Sequence, residues 1–306
     1  MERHWNKLSE RTRADAKTKL EVVAKGTRDA LLHALNFLRT ELDLVSLRLL
    51  PYNGILVGVA AFFGERGPMP SAAWKKELRA WCWHAAFAGF AEGNPSRSTQ
   101  AWEALREARE RRSSSMPLPR VSPGANPTAF PSRFDTRAAR LQASLWAALT
   151  AWKMGTSERV QVGRFLDLHG AHSFVRICRT RNQVSSEHRE LLSSPANRVF
   201  DHWGLDMGSP SSEPVAKLIV QLDLSCTTDR RRLDRMQISA EALAALRLCT
   251  ADGDLEFLRR RLEQMIEDER TQMQAFGLTP PEDRIPRKPA IDHPDDVDGL
   301  DGDDLG

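Results

Sequence analysis

The chain is poor in residues and patterns that mark several common protein classes. It has four cysteines in 306 residues (Cys82, Cys178, Cys226 and Cys249), and none forms a CxxC pair. That excludes a zinc knuckle built from such pairs, and it fits a reducing, cytoplasmic setting. Long apolar runs are also missing. The longest, Gly54 to Phe63, falls far short of the roughly 20 residues that span a bilayer as a helix, so no membrane is expected. The N-terminus, MERHWNKLSER, is charged and lacks an apolar signal core. Neither GxSxG nor GxxxxGK[ST] occurs, which removes nucleophile-elbow hydrolases and P-loop NTPases from consideration. No short-period repeat is present.

What the chain does have is an uneven charge. Hydrophobic residues make up 41% and charged residues 28%, as in an ordinary globular protein. Lys+Arg is 44 and Asp+Glu is 41, a net charge of only +3. Residues 291–306 (IDHPDDVDGLDGDDLG) hold seven Asp and no Lys or Arg, so without them the other 290 residues carry +10. A basic body fits nucleic acid, and an acidic tail can compete for the same surface.

Periodicity predicts a mainly α chain. Leu20, Val23, Leu31, Leu35 and Leu38 form one apolar stripe along residues 14–45. ILVGVAAFF (55–63) is apolar all round and fits a buried helix or a strand; its helical neighbours favour the helix. Ser71 is placed to cap a helix bearing Trp74, Leu78 and Trp81, and Ser98 a helix through Arg112. Residues 113–135 are rich in proline and serine and read as a linker. Helix returns at 136–153. ERVQVGRF (158–165) and SFVRIC (173–178) read as strands. Residues 186–193, 213–224, 240–248 (capped by Ser239) and 254–275 read as helices. The last has a stripe of Leu255, Leu258, Leu262, Met265, Ile266 and Met273, with Gly277 at a C-terminal cap. From Pro280 onward proline and aspartate dominate, and disorder is expected. The expected organisation is a helical domain over 1–112, the linker, a small α+β module within helices over 136–279, and the tail over 280–306.

One set of residues has the spacing of a catalytic site. His169 and His172 precede SFVRIC, Asn197 follows His172 by 25 positions, and Asp206 follows Asn197 by nine. A histidine at a strand, then an asparagine, then a polar ligand on a helix is the order of parts in a ββα-metal nuclease. There the histidine takes a proton from water, the asparagine holds the histidine or its loop, and a divalent metal steadies charge on the phosphate. A surface or structural histidine is the plainer reading of the same residues. Arg176, Arg179 and Arg181, and Arg230, Arg231 and Arg232, can neutralise phosphates, or can be solvated charges among Asp and Glu. The tryptophans share helical faces with leucines, which favours core packing over base stacking.

Several segments together resemble one family. LPYNGILVGVAAFF followed by LRAWCWHAAFAGF is similar to the central helical region of GmrSD-type modification-dependent restriction endonucleases. LLSSPANRVF resembles the segment around the asparagine of that family's HNH nuclease region. SAEALAALRLCTADGDLEFLRRRLEQM is similar to its closing helices, with Phe257 and Arg261 matching a recurring Phe…Arg pattern. The resemblance runs over residues 1–278 in the family's order.

The resemblance implies a subunit or fragment of a DNA restriction or antiphage system with an HNH-like ββα module. His172 would be the general base, Asn197 the orienting residue, Asp206 a metal ligand, and Mg or Mn the cofactor. Ala171 stands where the family places the first metal-binding histidine. Alanine cannot bind a cation, so the site would be degenerate unless His169 replaces it. The family's Asp-Gly-Gln-Gln-Arg motif, which marks a ParB-like nucleotide-handling lobe, does not occur, and the expectation is a fragment, one half of a split gene, or a subunit whose partner protein supplies the lobe. A non-enzymatic subunit that binds DNA or protein is the alternative.

Overall fold

The computed structural model describes residues 10–64, 71–88, 95–110, 127–179, 185–208 and 214–281. These residues form twelve α-helices and one two-stranded sheet, the mainly α class expected. Residues 113–126 of the expected linker and 282–306 of the expected tail lie outside the described residues.

Helix α1 (Glu10–Glu41) buries Ala30, Ala34, Phe37 and Leu38, at helical spacing. Its apolar stripe does not stay buried to the start. Leu20 and Val23 are 67% and 63% exposed. Periodicity shapes the helix, but burial needs a covering element, and α2 (Asn53–Phe63) packs on the second half of α1. The helix reading of ILVGVAAFF holds for α2, with Ile55, Val59, Phe62 and Phe63 buried. Helix α3 (Ala72–Phe87) starts at the expected cap, where Ser71 Oγ accepts from the Trp74 N–H at 3.4 Å. Helix α4 (Pro95–Glu110) begins before the expected Ser98. Proline fits a first turn because the N–H it lacks would have had no helical partner.

Tryptophans tie these helices together. Trp102 Nε1 on α4 donates to the Gly54 carbonyl at 2.9 Å. On α5 (Ala139–Ala151), Trp146 Nε1 donates to the Leu42 carbonyl at 2.9 Å. Trp83 on α3 lies 4.4 Å from Trp146 and 4.3 Å from Phe276, ring centre to ring centre. The core reading of these side chains is the observed one.

ERVQVGRF is not a strand. It lies within α6 (Thr156–His169). Val160 is 65% exposed, while Val162, Gly163, Phe165 and Leu166 are buried, which is helical spacing rather than alternation. Gly163 allows the close approach: a Cβ there would collide with the Val45 carbonyl.

The second strand-like segment does pair. Strand β1 (Phe174–Arg176) runs antiparallel to β2 (Arg198–Phe200), in the register Phe174↔Phe200, Val175↔Val199, Arg176↔Arg198. Side chains alternate between faces. Phe174 and Phe200 join the first hydrophobic core, made mainly by α1 to α6, and Val199 joins a second core.

That second core gathers α7 (Ser186–Ser193), α9 (Val215–Val220), α10 (Thr227–Arg235) and α11 (Ala240–Arg247) with the first half of α12 (Ala251–Ala275). Helix α8 (His202–Met207) follows β2 directly. Helices α8 and α10 carry no apolar stripe long enough to read in the sequence. Ser239 caps α11, and Gly277, at φ 76°, closes α12 as expected. The α12 stripe is turned from the expected one. Its buried face runs through Phe257, Leu258, Arg261, Met265, Glu269 and Met273, with two charged residues among them. Met273 reaches the first core, so α12 spans both.

Candidate functional site

The sheet and the elements that flank it hold the residues singled out by spacing. Helix α6 ends at Gly170, and a 3-10 turn, Gly170–Ser173, leads into β1. Ser173 is buried and its carbonyl accepts from the Asp201 N–H at 2.9 Å, which joins the two strands at their far end. His172 is exposed on this turn, as is Ala171. Asp201 Oδ1 accepts from the Gly204 N–H at 2.8 Å and so starts α8. In chain order the parts are β1, α7, β2 and α8, so a helix separates the two strands that pair.

Asn197 is 1% exposed and fully engaged. Its Oδ1 accepts from the Cys178 N–H at 2.7 Å, and its Nδ2 donates to the Cys178 carbonyl at 3.1 Å and the Leu192 carbonyl at 2.9 Å. It holds the segment after β1 against the end of α7. Arg261 completes this buried block. Its Nε donates to the Met236 carbonyl at 2.9 Å, and its Nη1 to the carbonyls of Pro195, at 3.2 Å, and Ala196. Burial brings its guanidinium down to about 9. The Phe…Arg pattern of residues 257 and 261 therefore has a structural role: it binds α12 to the turn that carries Asn197.

Among the described residues no three His, Cys, Asp or Glu side chains are grouped so as to hold a metal ion. Asp206 is exposed on α8 and pairs with Arg232 at 3.4 Å. The His169 ring packs 4.6 Å from Phe165, and its buried Nε2 has no hydrogen-bond partner.

The arginines divide. Arg176, Arg179 and Arg231 are exposed. Arg230 donates to the Leu224 carbonyl at 2.7 and 3.1 Å, and Arg232 is the partner of Asp206. Arg181 lies outside the described residues.

Two features carried no sequence signal. His202 is 7% exposed, stacked on Trp152 with ring centres 4.8 Å apart, and its Nε2 is unpartnered. Burial first, then the charges of Arg235 and Arg232, lower it to about 3, so it is neutral at neutral pH. Beside it, Arg235 pairs with Glu158 at 2.5 and 3.1 Å and lies 5.6 Å over the Trp152 ring. Trp152, Glu158 and Arg235 line a cleft of about 740 Å³ with Lys153, Arg231 and Asp268. Only the three-dimensional fold brings α5, α6, α10 and α12 together there.

Compared with protein-family models, curated proteins and solved structures, the chain finds no match. Among the described residues no helix is long and apolar enough to cross a membrane.

Proposed function

We propose that this chain is a DNA-binding subunit of a GmrSD-like restriction or defence system, and that its strand–strand–helix module binds rather than cuts. The observation that carries this reading is how the candidate side chains are employed. Asp206 pairs with Arg232, and no three metal donors gather among the described residues. Arg176, Arg179 and Arg231 meanwhile stand exposed on a body of charge +10 outside the tail. Such a surface supports sequence-independent contact with phosphates, which displaces counterions and is salt-sensitive.

The test is duplex binding by the purified chain in EDTA, followed by fluorescence anisotropy from about 50 to 200 mM salt. The proposal expects affinity to fall steeply and linearly on a log–log plot. Absence of binding at the lowest salt refutes it.

The nuclease reading retains one favourable observation, the pairing of β1 with β2, with His172 ahead of β1 and Asp206 on the helix α8 that follows β2. Under it, Mg²⁺ or Mn²⁺ supports plasmid nicking, and His172→Ala abolishes nicking. Equal nicking by both proteins removes His172 from catalysis.

A further inference from the structure

The sheet register sets two arginines directly against each other. Arg176 on β1 is the cross-strand partner of Arg198 on β2, so both side chains leave the same face of the ribbon. It is the face of Phe174 and Phe200, two positions along each strand. Like charges directly opposite on a sheet repel and destabilise the pair. A carboxylate between them would relieve this, yet neither guanidinium forms an ion pair with a carboxylate among the described residues.

Arg198 is also held in place. Its guanidinium lies 5.2 Å over the Phe134 ring, and Phe134 packs 5.7 Å from Phe174. The half-buried Arg198 thus has a fixed position, while Arg176 opposite it is exposed and free to close on a ligand. Burial, together with the charge of Arg176, brings Arg198 down to about 10. A bound anion is the missing partner that both groups share. Two planar forks on one face match the several oxygens of a phosphate better than a single-point ligand.

We infer that Arg176 and Arg198 form a clamp for one phosphate group, supplied by the sugar–phosphate backbone of a nucleic acid. This deepens the binding reading above and rests on it for the source of the phosphate. Arg198 was not among the arginines that clustering in the sequence marks, because its partner lies 22 positions away and only the strand register joins them.

The test uses the full chain, Arg176→Met, Arg198→Met and the double variant, since methionine keeps the apolar stem of each. The clamp predicts that the double variant lowers the slope of log affinity for duplex DNA against log salt by about one, the value for one phosphate. Each single variant shows most of that drop, because the two arginines share one ligand. It also predicts that Arg176→Met melts higher than the full chain in chloride buffer, where no many-oxygen anion bridges the two forks, and lower relative to it in inorganic phosphate of equal ionic strength.

If the full chain binds DNA and the double variant binds with unchanged affinity and slope, the clamp is wrong and the binding reading stands. If the full chain does not bind DNA but phosphate raises its melting temperature and not that of the double variant, the clamp holds free phosphate and the binding reading is wrong. If neither DNA nor phosphate distinguishes the variants, both are wrong. Should Arg198→Met fail to fold, the exposed Arg176→Met alone decides by the same slope and melting criteria.

Discussion

His202 and Asn197 show how much of the molecule is settled by single side chains. A histidine held neutral by burial stabilises the fold only while it stays uncharged. Its folded value, about 3, is below the ordinary 6.5, so the unfolded chain binds the proton first as pH falls. Its contribution is therefore whole above pH 6.5 and is lost progressively from there toward pH 3. The difference in stability between the chain and His202→Phe should change by roughly 1.4 kcal/mol per pH unit in that window. Urea unfolding at several pH values checks this, and a difference independent of pH contradicts it. Asn197→Ala should cost on the order of 3 kcal/mol, because it strands a buried N–H and two carbonyls. A loss under about 1 kcal/mol would mean that these groups find other partners. The sequence marked Asn197 by its spacing from His172, but the spacing could not tell which atoms its amide would meet.

Elements were legible where one face is apolar for several turns, as in α3, α5 and α12, while α2, apolar all round, was readable only from its helical neighbours. They were misread where a short β-branched alternation imitates a strand. In α6, Val160 and Val162 alternate for only one repeat, and burial of Gly163 against the Val45 carbonyl and of Phe165 against Phe200 overrides them. Close helix packing makes a sharper prediction. A Cβ on Gly58 would lie 2.8 Å from Trp81 Cη2 and 2.9 Å from Trp102 Cδ1. Gly58→Ala should therefore destabilise by about 1–3 kcal/mol, against the usual gain for alanine in a helix. Gly26, on the exposed half of α1, has nothing within 4 Å of such a Cβ. There the same change should stabilise by about 0.5–1 kcal/mol. Thermal unfolding of the two variants tests the pair, and shifts of the same sign would contradict this packing.

At the scale of the whole molecule, two cores meet along α12 and the sheet. Arg140 on α5 and Glu269 on α12 pair across the space between α5 and α12, with a second contact at 3.1 Å and Arg140 5.0 Å over the Phe87 ring. Outside the tail the chain carries a net charge of +10. The seven aspartates after residue 290 offset much of that basic body. Removing residues 288–306 should tighten DNA binding at low salt and matter less at high salt, as anisotropy titrations of the two chains can show. Equal affinities would remove the tail from the mechanism. The module's function turns on one comparison: duplex DNA incubated with the purified chain, in EDTA and in Mn²⁺, read for both binding and strand breaks. Binding of equal strength in both buffers, falling steeply with salt and leaving the DNA intact, is the predicted result. Strand breaks that need Mn²⁺ and disappear in His172→Ala would contradict it.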